Sequence, residues 1–274
     1  MRNDRRAISP AISTVILTAA VVVMLLVTIV FANNFLNSRM AENEFSAMRQ
    51  FVQTVGLQID DVGWTIGRTQ TIRYASKFGD LNFESLALNY TVYVNGSPIA
   101  NFTTGILLFN MPISRYNLGN GYTQRIVPSS DRSFLQKGTS APVCQVFAIE
   151  KVPMNDGNFI RLVVAPSVRM LNSSITNGGV EKDYYKFYLP VLNQTVHPRL
   201  SQSLTLIGSE VSVQTAGSAN TVTIHVDFPK AASSGLDNNF FKFDRLDEVV
   251  SNMKSGSIIE FYTGEVVVSL GLVV

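Results

Sequence analysis

The longest uninterrupted pattern in the chain is apolar. Residues Val15 to Ala32 carry only Thr18 and Thr28 as polar interruptions, and no charged side chain occurs between Ala7 and Ser38. A helix of about 20 such residues, rising ~1.5 Å each, spans the hydrocarbon core of a bilayer. A helix that packs inside a soluble domain is rarely apolar on every face for so long. The segment therefore predicts a membrane-inserting helix over residues 8–32. Arg2, Arg5 and Arg6 precede it, whereas Arg39, Glu42, Glu44 and Arg49 follow with mixed sign, so the amino terminus is expected in the cytoplasm and the remainder outside.

The next pattern is a stripe. Phe45, Met48, Val52, Val55, Ile59, Val62 and Ile66 recur at intervals of three and four between polar neighbours, which predicts an amphipathic extension over residues 33–67. Unbroken from Pro10 to Ile66, this helix would measure about 85 Å. Gly56 and Gly63 weaken it by about 1 kcal/mol each, so a kink or an end near Gly63 or Gly67 is expected. The stripe can dock on the chain's own later residues or on neighbouring copies, with different sections serving each.

From residue 68 the period shortens to two. Leu88, Tyr90, Val92 and Val94 share one face of a strand and Asn89, Thr91 and Tyr93 the other. Asn95-Gly96 then has the composition of a tight hairpin turn, with "SPIANFTTGILLF" returning as its partner. A turn around Ala216 to Asn220 separates two further alternating runs, in the second of which Val222, Ile224, Val226 and Phe228 face inward. Other expected strands are "TQTIRYAS", "CQVFAIEKV", "NFIRLVVAPSVRML", "DYYKFYLPVL", "SIIEFYTG" and "EVVVSLGLVV". "LDEVVSNMK" is the one later segment expected to be helical. The fold class is α+β: a long amino-terminal transmembrane or filament-core helix followed, over 68–274, by an antiparallel β-sandwich-like domain of one unit or two sheets.

Composition narrows the function. Charged residues make up 15% and the formal net charge is +2, with no Lys/Arg stripe beyond the amino terminus, so nucleic acid is not an expected partner. The single cysteine, Cys144, allows no internal disulfide and reads as a small buried hydrophobe. Five N-x-S/T triplets begin at Asn89, Asn95, Asn101, Asn172 and Asn193, all in the expected outer domain and thus candidate glycan acceptors, although Pro98 weakens the second.

Chemistry is sparse. His197 and His225 have no ligand-type neighbours at metal spacing, and His225 is expected on a solvated strand face. Asp60-Asp61 could hold Ca²⁺ or act as acid and base, but without further regularly spaced oxygens the pair is expected to be a solvated helix face or helix end. No phosphate loop, nucleophile elbow or zincin motif is present. No catalytic residue, metal site or cofactor is expected.

The opening residues carry one more pattern. An ordinary secretory signal would be cut at an A-x-A-like site, and "TIVFANNFLN" supplies only Ala32; a lipoprotein signal would need a cysteine there. Instead a basic pair, Arg5-Arg6, is followed by Ala7, then Ile8-Ser9-Pro10, then the apolar helix. Over residues 5–32 the chain resembles archaeal type IV pilins and the archaellin-like amino-terminal family. The resemblance implies a class III signal: 1–7 would be a basic leader, recognised through Arg5 and Arg6 and cut by a prepilin peptidase between Ala7 and Ile8, leaving Ile8, Ser9 and Pro10 as the new terminus. The glutamate that bacterial type IV pilins carry near this point is absent, with Ile12 among apolar neighbours. The implied partners are the membrane, the peptidase, other pilins or copies of this chain, and, indirectly, an assembly ATPase and its platform protein. Pro10 suits the first helical turn. The function expected is a surface-filament subunit for adhesion; the alternative is an uncleaved signal-anchored extracellular protein whose β domain binds a ligand, and a surface hydrolase would need company for Asp60, Asp61 or His197.

Overall fold

The computed structural model describes residues 8–150, 158–177, 180–195, 201–254 and 256–271, with the side chains of 8–11, 177 and 180 excluded. Arg5, Arg6, Ala7 and His197 lie outside these residues. The chain divides into two compact units, 1–43 and 44–274.

Helix α1 runs without interruption over Ile8–Gly63, ending where the glycines were expected to weaken it. In the first unit it is the one described helix long and apolar enough to cross a membrane. Its side chains from Ile12 to Leu36 are exposed on all sides, including Leu17, Met24 and Phe31 at 67%, 70% and 72%. The two polar interruptions are satisfied within the helix, because the Thr18 and Thr28 hydroxyls donate to the Thr14 and Met24 carbonyls at 2.8 and 2.7 Å.

The second unit is strand-rich. Its strands are β1 (Thr69–Arg73), β2 (Asp80–Val94), β3 (Ser97–Pro112), β4 (Thr123–Val127), β5 (Leu135–Lys137), β6 (Cys144–Glu150), β7 (Phe159–Pro166), β8 (Val168–Asn177), β9 (Val180–Gln194), β10 (Ser203–Ala219), β11 (Val222–Asp227), β12 (Asp247–Val250) and β13 (Ser257–Leu270), with short helices α2 (Ala231–Ser234) and α3 (Asn238–Phe241) between β11 and β12. One sheet has the order β1-β10-β13-β9-β8-β5 and the other β12-β11-β2-β3-β7-β6-β4. Inward residues of both, among them Tyr90, Val92, Phe147, Val163, Phe187, Ile224 and Phe261, join one buried hydrophobic cluster.

Local chemistry explains the hairpin between β2 and β3. Asn95 and Gly96 both adopt positive φ, 49° and 81°, as a type I′ turn requires. Asn95 tightens the corner further: its Oδ1 accepts from the Asn220 and Thr221 N–H groups at 2.9 and 3.2 Å, tying this turn to the start of β11.

Several expectations are corrected. "LDEVVSNMK" is not helical; Asp247–Val250 is the edge strand β12, whose backbone completes the ladder of β11 and whose Val250 is buried. Tertiary pairing outweighs a four-residue run whose periodicity is ambiguous. "SIIEFYTG" and the first six residues of "EVVVSLGLVV" form a single strand, β13, because Gly264 marks a close backbone approach and not a turn, while residues 272–274 lie outside the described residues. "NFIRLVVAPSVRML" is two strands that part at Ser167 and enter different sheets. The pairing is mixed, since β9–β13 and β5–β8 are parallel; β9 and β13 are separated by enough chain to run in the same direction, whereas a short hairpin would force them antiparallel. Ile66 lies beyond the end of α1 and is 67% exposed.

Candidate functional site

The best-defined constructions in the second unit hold the last five turns of α1 against the strands. Phe45, Met48, Val52, Val55, Ile59 and Val62 are each at most 4% exposed. This section of the stripe is thus covered by the second unit itself. Burying six such side chains contributes on the order of 10 kcal/mol before entropic costs. Leu57, on the opposite face, is 64% exposed. Gly56 permits the close packing: a methyl there would sit 3.1 Å from Val146 Cγ2 and 3.8 Å from Cys144 Cβ.

At residue 44 the helix is moored by a carboxylate. Glu44 accepts from the Ser76 hydroxyl at 2.6 Å, from the N–H of Lys77 at 2.9 Å, and from those of Phe78 and Gly79 at 3.0 Å. Residues 76–79 form a backbone nest of successive N–H groups, suited to a negative charge. Burial works against ionisation of Glu44, but the hydrogen bonds from Ser76, Lys77, Gly79 and Phe78 outweigh it and hold the carboxyl below its ordinary pKa.

At Gly63 the end of the helix meets the first sheet without side chains in between. A methyl on Gly264 would collide with the Gly63 carbonyl oxygen, and one on Gly208 with the Val62 and Thr65 oxygens. The chain then turns at Gly67, whose N–H donates to the Gly208 carbonyl at 2.8 Å while the Gly208 N–H returns to Arg68 at 2.9 Å. Only glycine admits this approach, and Ile66 is carried out to solvent by the same turn.

Asp60 and Asp61 belong to this end of the helix. Asp60 accepts from Trp64 Nε1 and from Arg169 Nη1, both at 2.8 Å, and Asp61 pairs with Arg68. Trp64 meets the Tyr188 ring edge-on at 5.2 Å, the Arg169 guanidinium lies over Tyr188, and Tyr188 stacks on Tyr262 at 4.9 Å. The two aspartates are engaged in helix mooring, with cationic partners.

The remaining candidates are dispersed. Cys144 is a buried free thiol whose pKa burial pushes well up, which suppresses thiolate chemistry. His225 sits between two carboxylates, Nδ1 2.7 Å from Asp247 and Nε2 3.0 Å from Asp227. Arg125 is buried beneath α3, bonded to Gln145 and the carbonyls of Phe241 and Lys242, and burial lowers its pKa to about 10. Ile8, Ser9 and Pro10 form the first turn of α1.

The five N-x-S/T triplets all fall on strands or the β2–β3 turn. Asn101 and Asn172 are exposed. The other three asparagine amides are in use: Asn89 accepts from Thr103, Asn95 caps its turn, and Asn193 donates to Glu265 at 2.5 Å. The Ser76–Gly79 nest and the Gly208 and Gly264 contacts have no periodic signature in the sequence; their local signal is no more than small Ser and Gly residues and a glutamate just ahead of the helix stripe. The chain matches no family model, no curated protein and no solved structure.

Proposed function

We propose that this chain is a pilin-like structural subunit. It is inserted in the membrane through the apolar part of α1, cut between Ala7 and Ile8 by a prepilin peptidase, and assembled with other copies or other pilins into an adhesive surface filament. The strand-rich unit, a sandwich-like domain, is carried outside the cell and bears glycans. The role is structural and not catalytic. The observation that carries this reading is the contrast along α1: Ile12 to Leu36 present an all-round apolar surface, whereas the stripe from Phe45 to Val62 is already occupied by the chain itself. The first stretch therefore needs an apolar environment from elsewhere, lipid before cleavage and neighbouring helices after it. Removing the cationic leader would allow that transfer, since burying Arg5 and Arg6 among helices would be very costly.

The test is mass spectrometry of the mature amino terminus, on protein from membranes and from sheared surface material. Ile8 as first residue in the sheared fraction is the expected result. A start at Met1, found only in membranes, would replace this reading with that of an uncleaved signal-anchored binding protein, and a start near Asn33 would make the apolar stretch a discarded signal.

A further inference from the structure

Among the described residues, the six-stranded sheet ends on one side in a strand that is only half covered. β1 pairs with residues 203–207 of β10, and the Gly67 and Arg68 backbone reaches Gly208. From Glu210 onward β10 has β13 on one side and no described strand on the other. Val213, Gln214 and Thr215 are exposed there, Val213 to 45%. An unpaired strand edge is a template for a further strand, and folds usually blunt such edges with charge, proline or short length. The other edges are blunted in this way. β12 carries Asp247 and Glu248, β5 is three residues long and ends at Lys137, β4 holds Arg125 and stops before Pro128, and β1 ends at Arg73. Residues 211–216 of β10, "VSVQTA", contain no charge, proline or glycine. Register shifts at Gly208/Glu210 and Ala216/Ala219 bound this stretch at both ends.

The hydrogen-bonding phase of the edge follows from its covered side. The Gly271 N–H donates to the Ser203 carbonyl at 2.8 Å, and in an antiparallel ladder the residues that bond to the partner strand alternate. Odd-numbered residues of β13 therefore bond towards β10, where Thr263, Phe261 and Ile259 stand opposite Ser212, Gln214 and Ala216. The N–H and C=O groups of Val211, Val213 and Thr215 point away from the sheet. A copy of the same edge, turned by a two-fold axis through Val213, meets these groups in phase. Val213 faces its own counterpart and Val211 faces Thr215, giving about six backbone hydrogen bonds. The side chains agree with that register. Val213 shares a sheet face with Tyr262 and Tyr188, so two Val213 side chains cover each other and extend an aromatic and β-branched row across the junction. Ser212 meets Gln214 and Glu210 meets Ala216, which opposes no like charges. None of the five N-x-S/T asparagines lies on β10, so glycans leave the edge open.

We propose that two copies of this chain join edge to edge through residues 211–216 of β10, antiparallel and centred on Val213, so that their six-stranded sheets run on as one. Such a two-fold contact closes on itself and makes pairs, not rows. It goes beyond the filament reading, taking from it only that copies of the chain meet, and it holds whether or not the leader is cut.

The experiment is oxidative cross-linking of the full chain in detergent micelles, with single cysteines introduced along the edge and disulfide-linked dimer read on a non-reducing gel. Across the two-fold pair the Cα atoms of residue 213 lie about 5.5 Å apart, within disulfide reach. Residue 211 lies about 14 Å from its counterpart, beyond that reach. Val213→Cys is expected to link to itself at least about tenfold faster than Leu57→Cys, an exposed position on α1, or than wild type, whose Cys144 is buried. Val211→Cys alone should stay unlinked, and should link once mixed with Thr215→Cys. Val213→Lys sets two ammonium groups against each other and should lower the dimer fraction in sedimentation about tenfold while keeping the near-ultraviolet circular dichroism of Trp64. Equal linking at residues 57 and 213, self-linking at 211 as fast as at 213, or a dimer fraction untouched by Val213→Lys would overturn the proposal, the last by assigning the pairing to the apolar helix. A Met1 amino terminus would leave it standing. Ile8 in sheared material without the link at residue 213 would remove it and keep the filament reading.

Discussion

Glu44 offers the sharpest test of how α1 is held. Glu44→Gln keeps the length of the side chain but discards the charge, leaving one acceptor oxygen where the carboxylate had two. The amide NH₂ would then oppose at least one of the N–H groups of Lys77 and Phe78, which lie 2.9 and 3.0 Å from the carboxylate oxygens. Hydrogen bonds to an ionised group contribute about 1.5–3 kcal/mol net and neutral ones about 1. With the carboxyl only partly buried, the expected loss is ~2 kcal/mol. For a unit of this size that lowers the thermal midpoint by roughly 4–8 °C. The assay is thermal unfolding of the full chain in micelles, followed by the near-ultraviolet circular dichroism of Trp64. The pH dependence adds a second constraint. The folded pKa of Glu44 lies below the ordinary 4.5, so its contribution is complete above the unfolded value and disappears as pH falls through the folded one. Wild type and variant should therefore differ at pH 7 and converge in acid. Equal midpoints at pH 7, or a gap that persists in acid, would refute the mooring role.

Other outcomes follow from the same contacts. Gly264→Ala places a methyl against the Gly63 carbonyl, where neither backbone can yield cheaply; destabilisation of about 1–3 kcal/mol is expected in urea titration, and a neutral result would remove the close approach from the account. Ile59→Ala should cost about 2–5 kcal/mol and Leu57→Ala less than about 0.5, because the first is fully buried and the second exposed on one helix; equal costs would mean the stripe is not docked. For His225, burial lowers the pKa, but hydrogen bonds and charge from Asp247 and Asp227 raise it overall, while β2 faces it with uncharged Thr91. Its contribution is present below the unfolded value and lost as pH rises through the folded one, so His225→Gln should narrow the stability difference between pH 5 and pH 8. Val22→Lys should impair membrane insertion or surface display by costing at least ~2.5 kcal/mol at mid-helix; normal display would count against an apolar environment for that stretch.

Much of the architecture was legible because it depends on periodicity. The unbroken apolar run, the stripe from Phe45 to Val62, the alternation around Tyr90 and Val92, and the Asn95-Gly96 turn are local signals, each enforced by neighbours a few residues away. The failures share one cause. β12 is a strand because β11 needs a partner, β13 passes through Gly264 because the Gly63 carbonyl lies against it, and β9 runs parallel to β13 because distant chain order allows it. Ile66 continues the stripe in number but not in space, since the turn at Gly67 closes on Gly208, more than a hundred residues away.

By itself, then, the sequence determined that an apolar helix leads into an alternating strand-rich region, because side-chain period and backbone preference are properties of short segments. Tertiary structure alone decided which carboxylates are spent on mooring and which are left facing solvent. Glu44, Asp60 and Asp61 look no different in composition from Asp227 and Asp247; what separates them is the nest, the arginines and the imidazole that long-range pairing brings to each.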